Sequence, residues 1–296
     1  PTEWQEGEHQ VSEIMDSVQT VPVVLVFSGH DPSGGAGVQA DIEAIVSQGC
    51  HCTSALTALT VQDTRDVKGF VEVDPSLVVQ QARAVLEDMP VQAIKIGMIG
   101  SVAVAEVIHS ILRDYPDIPV VLDPVLVAGG GGSLAEDDLT EAIKSLLFPM
   151  ATLVTPNALE TRALVPGNDS AEARGMALLE LGARYALVKG GDERTPEVHN
   201  YLFGNHRLLQ KFTWPRLPHS YHGSGCTLAA AIAGLLAQGA DLPMAVHQAQ
   251  DYTQAALEAG ARLGLGQHVP HRLFWADADD DEDPLSEIEA GNVSIH

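Results

Sequence analysis

Positive charge is what this sequence has least of. Its 16 Lys and Arg stand against 40 Asp and Glu in 296 residues, a formal net charge of −24. A nucleic-acid surface needs a basic stripe and an anionic membrane needs a basic cluster, so neither partner is expected. Anionic substrates must then be met by local donors rather than by an overall positive field. Cysteine is scarce too, with only Cys50, Cys52 and Cys226. A small odd number argues against a disulfide framework and suits a reducing cytosol, so a cytoplasmic location is expected. Cys50 and Cys52 form C-x-C without the second ligand pair a zinc site needs, and are expected to be packing residues. No apolar run reaches the ~20 residues of a membrane span. The first residues are acidic, the wrong sign for a signal peptide.

The acids are unevenly spread. Residues 1–20 and 276–296 carry Asp and Glu with no Lys or Arg. Both stretches are expected to be solvated, disordered tails around one domain over residues 21–275. Apolar residues make up 45% of the chain, normal for a globular protein.

Between those ends, apolar runs alternate with helical patterns. Val23–Phe27 is a short continuous apolar run, the mark of a strand buried on both faces. It leads into a glycine-rich loop, Ser28 to Gly37, and then a helix pattern with Val38, Ile42, Ile45 and Val46 on one face. That loop is longer than most βα connections and contains His30, Asp31 and Ser33, which suggests more than a link. It lacks the full dinucleotide fingerprint, so an oxidoreductase is a weak reading. Further strands are expected at His51–Val61, Val67–Val73, Ala93–Ile96, Val120–Leu122, Ala151–Val154 and Tyr185–Val188. A hairpin is expected over residues 201–212, and a last helix from about Leu242 to Ala259. Asp74-Pro75 and Ser101 read as helix starts. The alternation implies an α/β fold with a mostly parallel sheet covered on both faces. Ligands in such sheets bind beyond the carboxyl ends of the strands. Gly29 to Asp31, Gln62, Met98, Asp123, Asn157, Glu160 and Lys189 all fall there.

One stretch organises the rest: His222-Gly223-Ser224-Gly225-Cys226-Thr227, followed by an apolar helix pattern from Leu228 to Leu236. Glycines there allow a tight turn that points several N–H groups at one spot, at the positive end of a helix. Such a loop holds an anion, most often phosphate. The expectation is that the phosphate leaving ATP sits here, and that Cys226, its thiol pKa lowered by the helix end, faces the receiving group. A tight loop with a buried structural cysteine is the alternative.

Taken in order, Gly29–Asp41, Lys95–Met98, Val121–Val125, Thr155–Asn157, Lys189–Gly191 and His222–Thr227 resemble the hydroxymethylpyrimidine/phosphomethylpyrimidine kinases of thiamine biosynthesis, in the ribokinase-like superfamily. The resemblance covers roughly Val21 to Trp275. It implies a three-layer αβα fold, a homodimer, and use of ATP and Mg²⁺ in the cytoplasm. By position it implies a pyrimidine pocket of Gly29, Asp41, Gln62 and Met98. A Gln amide offers the donor and acceptor that an aminopyrimidine edge requires, and Met supplies an adaptable apolar wall. It places the anion hole and general base at Gly223, Gly225 and Cys226, and Mg²⁺ at Asp123 and Glu160. Glu160 is equally readable as an acid in the first turn of a helix. Lys189, Asn157 and Thr227 would meet the nucleotide, although a strand-end Lys is often merely solvated.

Two departures stand out. Relatives often carry Lys or Thr before Ser-Gly where this chain has Gly129–Gly132, and Gly-Lys-Gly where it has Gly264-Leu265-Gly266. A missing Lys removes a phosphate partner, and the glycine run could act as a flap. Two other functions remain open: a pyridoxal/pyridoxine kinase of the same superfamily, and a non-catalytic pyrimidine-binding sensor.

Overall fold

The computed structural model describes residues 21–126, 137–167 and 170–281. The stretch 1–20, residues 282–296 and the run Gly129–Gly132 lie outside the described residues. The chain builds β1 (Val23–His30), α1 (Gly37–Ser47), β2 (His51–Gln62), β3 (Val67–Glu72), α2 (Pro75–Asp88), β4 (Val91–Ile96), α3 (Val102–Asp114) and β5 (Val120–Leu122). Then follow α4 (Asp137–Ala142), a π turn and a 3-10 turn to Met150, β6 (Leu153–Val154), α5 (Ala158–Leu164), α6 (Ala171–Glu180) and β7 (Tyr185–Val188). The last elements are β8 (Glu197–Gly204), β9 (Arg207–Pro215), α7 (Ser224–Ala237), α8 (Leu242–Glu258) and a 3-10 helix, Phe274–Asp281. That 3-10 helix takes up the first residues of the stretch expected to be a C-terminal tail.

The strands form one 9-stranded sheet in the order β3-β2-β1-β4-β5-β6-β7-β8-β9. The pairs β1–β2, β1–β4, β4–β5, β5–β6 and β6–β7 are parallel; β2–β3, β7–β8 and β8–β9 are antiparallel. This is the mostly parallel, doubly covered sheet expected. From β1 the chain steps outward to β2, then returns to β4 on the other side, so a crevice opens beyond the ends of β1 and β4.

Alternation within β1 feeds two cores. Val24 and Val26 pack with Ala93, Val121, Leu153 and Leu187 under α1, α7 and α8. Leu25 and Phe27 pack with Ile94, Ile96, Leu122 and Val154 against α2, α3, α4 and α6. Helix α7 is apolar on nearly every side because it is buried nearly all round, from Thr227 to Ala237. Caps lie where the sequence places them: Asp74 accepts from Ser76 N, and Ser101 from Val104 N. Hairpin β8–β9 turns on Asn205 and His206, both at positive φ (50° and 53°), the geometry that matches strand twist. Cys50 is buried, its thiol donating to Gly234 O at 3.3 Å, and Cys52 packs at the same core's margin.

Helix α1 departs from expectation. Ile42 and Val46 are 40% and 45% exposed, while Val38, Ala40, Asp41, Ala44 and Ile45 are buried. The reason is Asp41. Its carboxylate turns inward to a buried lysine, and that rotation carries Ile42 and Val46 outward.

Candidate active site

Two loops meet in the crevice. The first, Asp31 to Gly37, is folded around the Asp31 carboxylate. Oδ1 accepts from Ser33 N and Ser33 Oγ, and Oδ2 accepts from Ala36 N, each at 2.8 Å. The second loop, His222 to Thr227, ties to it through His222 Nε2, 2.8 Å from Asp31 Oδ2. Burial alone would raise the Asp31 pKa; the bonds from His222 and Ser33 outweigh it and hold the carboxyl below its usual value.

Glycine makes the contact possible. A Cβ on Gly35 would stand 2.1 Å from the His222 ring, and one on Gly223 would stand 1.9 Å from Gly35 O. Gly223 also has φ +76°, a left-handed conformation that L side chains resist. It is the N-cap of α7, and no side chain caps that end. The first-turn amides of α7 therefore open onto the crevice with the helix dipole behind them.

A cavity of about 200 Å³ lies there, lined by Gly29, Gln62, Met98, Asp123, Asn157, Glu160, Lys189 and the loop from His222 to Cys226. A second cavity of about 290 Å³ shares Asn157, Lys189, Ser224 and Gly225 with it and extends over Val198, Trp214, Leu228 and Leu257. The structure thus brings together Gly29, Gln62, Met98, Asp123, Asn157, Glu160, Lys189, Gly223, Gly225 and Cys226. Two other expected site residues lie behind this surface and line neither cavity. Asp41 is fully buried, its oxygens 2.8 and 3.0 Å from Lys95 Nζ. Thr227 is also fully buried, its hydroxyl donating to Gly223 O at 2.8 Å.

The charges in the cavity are linked. Lys189 Nζ lies 2.9 Å from Asp123 Oδ1, which also accepts from Thr155 Oγ1 at 2.8 Å. Burial would raise Asp123, but Lys189 and then Lys95 pull its pKa below the usual range. Burial, and next the repulsion of Asp123, push Glu160 up to about 7 against the pull of Lys189. Asn157 and Glu160 form the capping box of α5: Asn157 N donates to Glu160 Oε2 and Glu160 N to Asn157 Oδ1, both at 2.8 Å. The cap leaves the carboxylate on the cavity wall. Asp123 and Glu160 are hard oxygen donors on one wall, a set that suits Mg²⁺ completed by phosphate and water. Among the described residues there is no cluster of three or more acidic, His or Cys side chains able to hold a metal by itself.

Cys226 corrects an expectation. Its thiol pKa is raised, not lowered. Burial is the main cause and prevails over the pull of Lys95 and of the amide of Gly37; Asp123 and Asp41 add to it. The helix end is there, but the neighbouring carboxylates were invisible in the local sequence.

Three further features escape sequence reasoning. Lys95 is fully buried beneath the site, held charged against burial by Asp41 and then by Cys226 and Asp123. Asn200, Gln250 and Trp214 form a network beside the larger cavity. Asn200 Nδ2 and Trp214 Nε1 both donate to Gln250 Oε1, at 2.8 and 2.9 Å, and Asn200 Oδ1 accepts from Gly190 N. In the Gly264-Leu265-Gly266 stretch, Leu265 is 75% exposed and Gly266 N donates to Thr64 Oγ1 on the β2–β3 turn.

Residues 31–271 match a family described as phosphomethylpyrimidine kinase. A hydroxymethylpyrimidine/phosphomethylpyrimidine kinase of Streptomyces coelicolor is 39% identical over 252 residues, 83% of this chain and 93% of that protein. A thiamine biosynthesis bifunctional protein of Geobacter sulfurreducens is 40% identical over 259 residues; the match takes in 86% of this chain but 53% of that longer protein. Among solved structures, a pyridoxal kinase from Staphylococcus aureus in complex with AMP-PCP and pyridoxal superposes with TM-score 0.77 at 26% identity, over 86% of this chain and 94% of that one. A phosphomethylpyrimidine kinase from Clostridium difficile superposes with TM-score 0.68 at 31% identity, over 79% and 98%. Among the described residues no helix is long and apolar enough to cross a membrane.

Proposed function

The chain belongs to the phosphomethylpyrimidine kinase family, and from that premise we propose that it transfers the γ-phosphate of ATP to the hydroxymethyl group of 4-amino-5-hydroxymethyl-2-methylpyrimidine, and then phosphorylates the resulting monophosphate. The observation that carries this reading is the join between the cavities. The uncapped start of α7 and Lys189 lie on their shared boundary, with Gln62 and Met98 in the smaller cavity and an apolar slot in the larger.

In this arrangement Gln62 reads the ring nitrogen and amino group, while Met98 and Gly29 form the apolar wall. Its amide already donates to Thr60 Oγ1 at 2.7 Å, which fixes its orientation. The slot between Val198, Trp214 and Leu257 accepts the adenine. Lys189 and the amides of Gly223 to Cys226 hold the moving phosphoryl group as the acceptor oxygen bonds to phosphorus and the bridging oxygen of ADP leaves. Positioning and charge stabilisation supply most of the rate in such transfers, and the hydroxyl gives up its proton late. The transferred phosphoryl oxygens can carry that proton away, and Cys226, its thiol held protonated by burial, would act as the base only through its minor thiolate fraction. Asp123 and Glu160 would hold Mg²⁺, which supplies neutralisation of phosphate charge.

The reading also takes the enzyme to work in the cytoplasm as a homodimer. What supports self-association is an apolar patch on the edge strand β3 and its neighbour β2: Leu59, Val61 and Val71 are 48%, 62% and 69% exposed, and Leu59 pairs with Val71. Sedimentation of Val61→Asp/Val71→Asp as a monomer, against a wild-type dimer, is the expected result.

The deciding experiment is a panel with ATP and Mg²⁺, comparing kcat/KM for the hydroxymethylpyrimidine, its monophosphate and pyridoxal. Preference for the two pyrimidines is expected. Preference for pyridoxal would favour the second reading, which the superposition on pyridoxal kinase supports. Pyrimidine binding without turnover would leave a sensor.

A further inference from the structure

Arg272 lies one residue beyond the matched range 31–271, between α8 and the terminal 3-10 helix, and is 1% exposed. It lines neither cavity. Its guanidinium is nevertheless bonded to both loops that build the site. Nε donates to Thr227 Oγ1 at 2.8 Å. Nη1 donates to Gly34 O at 3.4 Å and to Glu43 Oε2 at 3.0 Å, and Nη2 donates to Gly35 O. Thr227 relays the contact by donating to Gly223 O. The Arg272 carbonyl is itself held by Ser47 Oγ and Tyr252 OH, each at 2.8 Å. Only a planar fork with several fixed donors can satisfy acceptors spread in this way; a lysine offers one point charge.

We propose that Arg272 is a positioning residue for phosphoryl transfer: it clamps the Gly34–Gly35 carbonyls to the first turn of α7 and so fixes where the amides of Gly223 to Cys226 point. The inference rests on the reading that this loop holds the moving phosphoryl group. A buried cation merely stabilising the fold would lower the melting temperature without altering turnover per folded molecule. A positioning role instead separates kcat from the KM of the pyrimidine, because Gln62 and Met98 lie outside the clamp.

The test compares wild type, Arg272→Gln, Arg272→Lys and Leu112→Ala, a buried position in α3 that serves as a control for destabilisation. All are assayed well below their melting temperatures with hydroxymethylpyrimidine, ATP and Mg²⁺. Arg272→Gln is expected to lose about 100-fold in kcat with the pyrimidine KM within about threefold, since small misplacements of reacting groups cost on this order. Arg272→Lys recovers part of the loss, and Leu112→Ala melts earlier with kcat intact. If Arg272→Gln does not accumulate as folded protein, Thr227→Val takes its place, removing the hydroxyl that the Nε–H meets; a kcat loss of about tenfold is expected. An unchanged kcat in whichever variant is read, or a Leu112→Ala loss matching that of Arg272→Gln, overturns the proposal. A wild type inactive on every substrate of the panel overturns the functional reading and this one together. An active wild type beside an indifferent Arg272 variant overturns this one alone.

Discussion

Replacing Gly223 by alanine tests the junction on which the site depends. Two costs arise. A non-glycine residue in the left-handed region costs roughly 1–2 kcal/mol. The new Cβ would also stand 1.9 Å from Gly35 O, 2.8 Å from Gly35 C and 2.9 Å from Ala36 Cα, all backbone atoms that cannot swing aside. Reaching an ordinary contact of 3.4 Å from 1.9 Å means parting the loops by about 1.5 Å. The His222–Asp31 bond and the Arg272 clamp resist that separation. We expect Gly223→Ala to lose about 2–4 kcal/mol of stability by urea denaturation and 100-fold or more in kcat by an ADP-release assay, roughly the scale of a displaced reacting group. Gly239→Ala is the control. Its φ of +87° imposes the same backbone strain, but nothing lies within 4 Å of its Cβ, so it should lose about 1 kcal/mol and no activity. Gly225→Ala should fall between: its Cβ would meet Lys189 Nζ at 2.9 Å, a flexible end that can move, so weaker ATP binding is expected more than unfolding. Gly223→Ala with kcat within about threefold of wild type would refute the close-contact argument.

Other expectations follow from named contacts. Cys226→Ser should lower turnover strongly, about 100-fold, while nucleotide binding measured by calorimetry survives; near-normal turnover would remove the sulfur from the reaction. Burial holds the Cys226 thiol pKa above its usual value, so alkylation by iodoacetamide should be slow at neutral pH and climb only at pH above the ordinary thiol range; rapid labelling at neutral pH would contradict it. Gln62→Leu should cost roughly 1–3 kcal/mol in kcat/KM for the aminopyrimidine and much less for pyridoxal, read by paired kinetics. Asp41→Asn strands the buried Lys95 charge and should lose about 3–5 kcal/mol by denaturation, whereas Asp41→Leu/Lys95→Met should recover most of it; equal losses would mean the pair's charge is not what matters.

The architecture was legible because its signals are local. The apolar run of β1, the Asp74-Pro75 and Ser101 starts, and the α8 pattern each sit within a few residues of what they specify. Most of the cavity was legible for a related reason: its residues end strands, and a parallel sheet gathers strand ends. What escaped depends on pairs far apart in the chain. Asp41 and Lys95 are 54 residues apart, so nothing near Asp41 signals that α1 must turn it inward and expose Ile42. The Cys226 thiol was misjudged because the helix end is a local feature, whereas the burial that opposes it, with Asp123 and Asp41 adding to it, comes from other elements. Asn200, Gln250 and Arg272 belong to no spaced motif, so neither the Asn200–Gln250 bond nor the reach of Arg272 to Gly34 and Gly35 is signalled locally.

The Lys189–Asp123 pair has a consequence for how so acidic a molecule receives a polyanion. In the free protein this ammonium already has an anionic partner, 2.9 Å away. On the proposed reading, an incoming triphosphate competes with Asp123 for a cation held in place beforehand, and the carboxylate it displaces would be free to take a divalent ion. Nucleotide and metal should then load together, each making room for the other. With a formal net charge of −24 repelling the nucleotide at long range, moderate salt should quicken its capture by screening that field.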